Sequence, residues 1–122
     1  MSRKRTSYTR NAHTAIATAD IQSEMCLVAT DDTEDRVKPS AGTAGEKFAG
    51  FANMNAKTGE DVGRKVDGSL ATPVAVGAVA FLDPVKPAAN GGVTVCAAND
   101  AARCGTAQSV AVDGEPVTVE SY

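Results

Sequence analysis

Three cysteines and one histidine are the side chains of this sequence that could ligate a metal ion or act as strong nucleophiles. They are Cys26, Cys96, Cys104 and His13. No C-x-x-C pair occurs and the histidine is far from the cysteines in sequence, so a zinc site is not indicated. An odd number of cysteines does not suit a secreted disulfide framework. Three reduced, mostly buried thiols are the favoured interpretation, and a Cys96–Cys104 disulfide is the alternative.

The usual residue sets of hydrolases and nucleotide-binding enzymes are also missing. A single histidine gives no basis for a Ser-His-Asp or Cys-His pair, and neither G-x-x-x-x-G-K-[ST] nor G-x-G-x-x-G follows a predicted strand. The acidic run Thr30–Asp35 lacks the central Gly and distal Glu of a calcium loop. Glu60, Asp61 and Glu115 adjoin predicted turns, where carboxylates are normally solvated. We therefore predict a protein that is not an enzyme and needs no cofactor.

A cluster of basic residues near the N-terminus is the remaining candidate for function. Arg3, Lys4, Arg5 and Arg10 lie in residues 1–19, which contain no acid, whereas the other 103 residues carry the remaining 8 of 12 basic and all 15 acidic side chains. The sequence predicts an extended arm over residues 1–23 that binds an acidic partner surface. Phosphate binding and a passive solvated tail are the alternatives. The acidic body and the scarcity of aromatic residues argue against direct contact with nucleic acid.

The apolar residues that must position these groups are unusually small. The chain has 22 Ala and 14 Val among 122 residues, but Leu, Ile, Val and Phe together make only 22, or 18%. Such a composition gives one domain with a thin core that gains stability from partners. No stretch is long and apolar enough for a membrane span. Polar residues follow the basic start, so no signal peptide is indicated and synthesis in the host cytoplasm is expected.

Short alternating apolar runs separated by turn residues indicate an all-β domain over residues 24–122. Asn90-Gly91-Gly92 predicts a turn, and residues 97–103 could form one helical turn. The predicted strands are 25–29, a nine-residue strand within 74–83, 93–96, 110–112 and 117–119. This spacing favours a small antiparallel β-barrel or β-sandwich, preceded by the N-terminal arm.

A repeated pattern is the most specific feature of the chain. Residues 50–62 and 105–117 both match G-x-A-x-x-x-A-x-x-G-E-x-V, with six of thirteen positions identical at an offset of 55 residues. The pattern describes a hairpin in which alternate Ala side chains face inward. Gly59 and Gly114 would allow a turn that needs positive φ. The sequence therefore predicts two related hairpin units that pack together, although chance matching between Ala- and Gly-rich segments is the alternative.

Several of these segments resemble a known family. They are residues 48–52 (FAGFA), 58–60 (TGE), 74–83 (VAVGAVAFLD), 105–107 (GTA) and 113–119 (DGEPVTV). Together they resemble the small capsid decoration, or cement, proteins of tailed bacteriophages. The resemblance covers residues 45–121, and neither the arm nor the three cysteines belong to it.

The resemblance implies a β-barrel or β-sandwich protein on the outer surface of a phage head, within the virion. Such proteins commonly form homotrimers and bridge neighbouring major capsid protein subunits, with no membrane involved. Many copies, each bridging subunits, stabilise the shell through multiplicity. Two alternatives stay open. One is a different virion part, such as a head-completion or tail-tube protein, and the other is a small enzyme or ligand-binding β-barrel.

Overall fold

The structure is a computed structural model that describes residues 14–30, 35–65 and 68–122. Strands make up nearly all of its regular structure, with a 3₁₀ turn at Ala89–Gly91, which confirms the predicted all-β class. No helix among the described residues is long and apolar enough to cross a membrane. The strands are β1 (Thr14–Ala17), β2 (Cys26–Ala29), β3 (Arg36–Pro39), β4 (Phe48–Ala52), β5 (Asp61–Lys65), β6 (Leu70–Ala71), β7 (Pro84–Pro87), β8 (Val93–Val95), β9 (Gly105–Ala107) and β10 (Val119–Ser121).

Residues 14–65, called the N-unit, form a closed barrel in the order β1-β3-β2-β4-β5. Its strand pairs are antiparallel except β1 with β3, a parallel pair within the expected antiparallel design. Along β1 the alternate residues Ala15 and Ala17 are buried. They meet Leu27, Val37 and Val62 in one core cluster. Small side chains suit this position because a five-stranded barrel has a narrow interior.

Residues 68–122, called the C-unit, form a five-stranded sheet in the order β6-β10-β9-β7-β8. Isolated bridges from Val74 to Pro116 and from Ala75 to Val93 add the segment before β7 to this sheet. The core of the unit holds mainly Val, Ala and Cys104, together with Phe51 from the N-unit. Its hydrophobic core therefore depends on a side chain that the other unit supplies.

The two units are joined by apolar packing and by hydrogen bonds. Cys26 of β2 belongs to the same core cluster as Phe51. The buried Ser40 hydroxyl donates to the Ala88 carbonyl at 2.6 Å, and the Ser40 carbonyl accepts the Gly91 N–H at 2.9 Å. These bonds satisfy polar groups at the junction that would be costly to bury unpaired. The junction is consequently part of the folded core and not a loose linker.

Part of the expected arm is built into the barrel. Thr14 pairs with Gly63, and Ile21 is buried and bridged to Ala56, so residues 14–23 do not form an extended arm and the boundary expected at residue 23 lies too late. The segment gave no apolar stripe because its inward residues are alanines, which are small enough for the barrel interior. Residues 1–13, and with them the basic cluster, lie outside the described residues.

The nine-residue strand predicted within residues 74–83 is wrong. Gly77 has φ +84°, and a turn closes where Asp83 N–H donates to the Ala80 carbonyl. Val79 forms only an isolated bridge to Ala111. Positive φ at Gly77 interrupts the extended backbone that an unbroken strand requires. The alternation of inward and outward side chains survives, since Ala75 and Val79 are buried.

Other local predictions fare unevenly. β2 lies within the predicted strand at 25–29, β8 lies within 93–96, and the turn at Asn90–Gly92 is confirmed by the 3₁₀ turn. Residues 97–103 form turns without a helix, the predicted strand at 110–112 is reduced to the Ala111 bridge, and β10 begins at Val119. Residues 31–34 of the acidic run lie outside the described residues.

Equivalent hydrogen bonds occur in the two units at nearly constant sequence offsets. Ala17 N–H donates to the Glu60 carbonyl at 2.9 Å, and 58 and 55 residues later Ala75 N–H donates to the Glu115 carbonyl at 2.8 Å. The strand registers follow the same rule, because Ala52 pairs with Arg64 in the N-unit and the residues 55 positions later, Ala107 and Val119, pair in the C-unit. The backbones can therefore be compared position by position.

Candidate interaction surface

The large apolar side chains that remain exposed among the described residues lie mainly in the C-unit. They are Met54, Leu70, Val74, Val76, Phe81, Leu82, Val95, Val110, Val112 and Tyr122. Of these, only Met54 belongs to the N-unit. Residues 72–122 are also poor in charge, with Lys86 and Arg103 as their only basic residues. An exposed apolar region with few charges is typical of a protein contact surface.

Four valines flank the bridged segments of the C-unit on their outer side. Val79 and Ala111 are buried, and Val79 N–H and carbonyl both bond to Ala111 at 2.9 and 3.0 Å. Since side chains alternate across an extended segment, the neighbours Val110 and Val112 point outward, and they are 71% and 57% exposed. Val74 and Val76 flank the buried Ala75 in the same way.

A turn with two bare apolar side chains continues this surface. Phe81 and Leu82 occupy the middle of the turn between Ala80 and Asp83, and they are 57% and 58% exposed. Leu82 has φ 70°, a left-handed conformation that costs a residue with a side chain about 1–2 kcal/mol. The Asp83 carboxylate accepts the Ala80 N–H at 2.8 Å and thereby holds the turn.

The valines and the turn form one continuous region. Gly77 N–H donates to the Asp113 carboxylate at 2.7 Å, which brings the segment after Val76 against the segment after Val112. Ala80 leads directly from this pair of segments into the Phe81–Leu82 turn. We call the region the apolar face, and it consists of Val74, Val76, Phe81, Leu82, Val110 and Val112.

The equivalent positions of the N-unit are polar. They line a shallow groove of about 380 Å³. Its residues include Asp20, Gln22, Asn55, Lys57 and Glu60, and we call them the polar groove. At the offset of 55 residues, Asn55 and Lys57 of the groove match two valines of the apolar face, Val110 and Val112. The same backbone position therefore carries a polar side chain in one unit and an apolar one in the other.

Electrostatic contacts hold the polar groove and the turn beside it. Asp20 accepts hydrogen bonds from the N–H and the hydroxyl of Thr58 at 3.0 and 3.1 Å, and these bonds lower the pKa of Asp20. Glu24, at φ 75°, occupies the turn position that Leu82 has in the C-unit. Burial alone would raise the pKa of Glu24, but hydrogen bonds from Lys65 and Thr72 outweigh it, so the pKa is lowered.

Glu24 also ties the two units together. Its carboxylate forms a salt bridge with Lys65 at 2.8 Å and accepts the Thr72 N–H at 2.9 Å. Charge-assisted hydrogen bonds of this length are stronger than neutral ones. The strained turn of the N-unit is thus held by bonds within the chain, whereas Leu82 in the equivalent turn of the C-unit has an exposed hydrocarbon side chain.

The cysteines are buried or half-buried thiols. All three are free, with Cys26 and Cys104 buried and Cys96 half-buried. Burial raises the pKa of Cys26 well above its usual value, and the neighbouring Cys104 adds to the effect. Burial also raises the pKa of Cys96. Within residues 14–30, 35–65 and 68–122, no group of three His, Cys, Asp or Glu side chains could hold a metal ion.

The candidate residues expected from the sequence are not part of this surface. Arg3, Lys4, Arg5 and Arg10 all fall in residues 1–13, outside the described part of the chain. Sequence reasoning missed the apolar face, although the repeat contained a signal for it. Aligning the two copies sets Asn55 against Val110 within an otherwise similar pattern, and a valine at a position where the other copy is polar indicates an outward apolar residue.

Comparison with known proteins gives a likeness of fold. No protein family model matches the chain, and no curated protein matches it either. Among solved structures, the chain is similar to the N base of the head fiber protein gp8.5 of bacteriophage phi29. The TM-score is 0.66 with 15% sequence identity, and the match covers 89% of this chain and 91% of the other. The two chains therefore share a fold over most of their lengths.

Proposed function

We propose that this chain is a structural protein of a bacteriophage virion and not an enzyme. The observation that carries the proposal is the fold shared with the N base of a phage head fiber over 89% of the chain. The independent resemblance of residues 45–121 to capsid decoration proteins supports the same class. Both likenesses concern proteins of the phage particle, although fold alone does not determine function.

The surface chemistry supports a role in binding other proteins. The apolar face and the charge-poor C-unit favour a lasting protein contact, because the centres of protein interfaces are depleted in charged residues. The groove of the N-unit is shallow and is lined by carboxylates that lie at the surface. Asp20, for example, has its carboxylate engaged by Thr58. These features fit a binding module better than a reaction site.

In this proposal the protein decorates the outside of a phage head as a homotrimer and bridges neighbouring major capsid protein subunits. The basic segment with Arg3, Lys4, Arg5 and Arg10 contacts an acidic region of the capsid protein. Each contact is weak and salt-sensitive by itself, as expected for exposed charge pairs. Many copies on one particle make the total stabilisation large.

Binding to undecorated phage heads tests this function. Purified protein should bind to saturation at a fixed ratio to capsomers, and the heads should then resist heating better. Replacing Arg3, Lys4, Arg5 and Arg10 by Ser should weaken binding and flatten its salt dependence. A matched control replaces four cations of the N-unit, Arg36, Lys38, Lys47 and Lys57, and should retain binding. Equal loss in both variants would show that only net charge matters, and absence of binding by the wild type would overturn the proposal.

A second virion role is favoured by one observation. The similar structure is the base of a fiber, which is a different part from a cement protein. A fiber base, head-completion protein or tail-tube protein would not saturate every equivalent site on the head. Labelled protein that appears only at a few sites, or with purified tails, would support this second role.

A further inference from the structure

We infer that the apolar face is the surface through which copies of this chain contact one another, while the polar groove stays in solvent. The inference deepens the proposed function, because it assigns the contact within the proposed homotrimer to particular residues. It rests on the difference between two equivalent surfaces, on the size of the apolar face and on its charges.

The fold does not need the apolar face for its own stability. The N-unit adopts the same backbone pairing with Asn55 and Lys57 at the positions of Val110 and Val112. The inward residues of the same segments are apolar in both units, as with Ala56 and the equivalent Ala111, so the core requirement is met on the other side. Outward valines in the C-unit alone are therefore explained by something that covers them.

The run of residues 74–80 carries small apolar groups on both of its sides. Ala75 and Val79 face the core, and Val74 and Val76 face outward at 47% and 37% exposure. Segments that are apolar on both sides are characteristic of sheets covered on both faces. In a single copy only the inner side is covered, so the outer side requires a second protein surface.

The charges around the face favour an apolar partner. Asp83 and Asp113 lie at its edge, and each carboxylate already accepts a backbone N–H from its own chain, from Ala80 and Gly77 respectively. Residues 72–82 and 105–119 contain no basic side chain. A partner recognised by charge would find no cation here, whereas the same apolar face of a second copy brings hydrocarbon against hydrocarbon.

The size of the face fits association among more than two copies. Six side chains at these exposures present apolar surface on the order of 500 Å². Two such faces together would bury about 1,000 Å², which is the lower end for a specific interface. A closed arrangement of three lets each copy contact two neighbours and so buries more surface per chain. This arrangement also covers Phe81 and Leu82, whose exposed turn retains backbone strain.

Variants that give the C-unit the residues of the N-unit test the inference. The first is Val110→Asn with Val112→Lys, and the second is Phe81→Ser, whose counterpart in the N-unit is Ser23. The control is Met54→Lys, an equally drastic change at an exposed apolar residue outside the face. Sedimentation velocity and circular dichroism are recorded over roughly 1 to 100 micromolar protein, the range in which weak assemblies dissociate.

The wild type should sediment with three times the 12.4 kDa mass of one chain. The first variant should be a folded monomer whose dissociation constant is raised about 100-fold or more, and the second should weaken association in the same direction. The control should keep the wild-type mass. A wild type that stays monomeric throughout this range, or face variants that keep its mass, would overturn the inference.

Head binding separates this inference from the proposed function. If the wild type is monomeric and the face variants lose head binding, the face contacts the capsid and the inference is wrong while the virion role stands. If the wild type associates through the face but never binds heads, the inference stands and the virion role is wrong. Loss of the native circular dichroism signal in the first variant is resolved by Phe81→Ser, which changes only an exposed turn residue.

Discussion

The N-unit and the C-unit have the same strand pairing but opposite surfaces at equivalent positions. In the N-unit the strained turn residue is Glu24, whose carboxylate is bound by Lys65 and Thr72. In the C-unit it is Leu82, which is 58% exposed. The comparison teaches that inward residues determine how each unit folds, whereas outward residues determine what each unit contacts. A backbone used twice can thus serve solvent on one face and a partner on the other.

The largest expected effect concerns the junction, where the comparison of separate units would break down. Phe51 comes from β4 of the N-unit but lies in the core cluster of the C-unit. Phe51→Ala should therefore lower the free energy of unfolding by about 3–5 kcal/mol and destabilise both units together. Denaturant unfolding followed by circular dichroism and by tyrosine fluorescence measures this effect.

Val62→Ala is the matched control for Phe51→Ala, since Val62 belongs to the core cluster of the N-unit. It should cost about 2 kcal/mol, because it removes two buried methyl groups. In both variants the two signals should change at the same denaturant concentration. Two separate transitions in the Phe51→Ala protein would show that the units fold independently.

A smaller effect sharpens the backbone comparison. Gly59 and Gly114 have φ +91° and +86°, and an added Cβ would meet no atom within 4 Å at either position. Gly59→Ala and Gly114→Ala should each destabilise the fold by about 1–2 kcal/mol, because only the conformational cost of positive φ remains. Urea midpoints of the two variants should agree closely. A difference well above 1 kcal/mol would mean that the two turns are not equivalent.

The smallest effect separates the two strained turns. In the monomeric Val110→Asn, Val112→Lys background, Leu82→Gly should raise stability by up to about 1 kcal/mol, because it relieves positive φ with little loss of burial. Glu24→Gly gives the same relief but removes the bonds to Lys65 and Thr72, so it should lower stability at neutral pH by about 1 kcal/mol. Thermal unfolding at matched protein concentration measures both.

The pH dependence identifies the carboxylate of Glu24 as the cause. The pKa of Glu24 in the folded chain is lowered from 4.5, so its stabilisation is present above pH 4.5 and is lost as the pH falls through the lower folded value. The deficit of Glu24→Gly should shrink over that acidic range, whereas the gain from Leu82→Gly should stay constant. A deficit that is independent of pH would assign the effect to the backbone.

Local chemistry in the sequence was enough to predict the β class, the glycine turns and β2. The pattern around Gly59 and Gly114 predicted turns with positive φ, and both glycines have it. The sequence did not predict that residues 14–17 form a barrel strand, because Ala15 and Ala17 become core residues only once β3 and β5 surround them. Likewise, the strand predicted across Gly77 depended on alternation, which a turn within the segment leaves largely intact.

The candidate site divides in the same way. The basic residues Arg3, Lys4, Arg5 and Arg10 are evident from charge alone, but they lie outside the described residues, so their role stays a prediction. The apolar face could not be predicted from composition, since valine is equally suited to a core or a surface strand. Only the bridge between Val79 and Ala111 shows which valines point outward.

By itself the sequence determined which segments are extended, where the chain turns, and how charge is distributed, because these follow from side-chain size, glycine content and residue type within a few positions. The tertiary structure alone decided that β1 closes the barrel, that Phe51 completes the core of the other unit, and that Val110 and Val112 face solvent. The physical reason is that burial is a property of the distant neighbours that surround a residue. Those neighbours are brought together only when the strands pair.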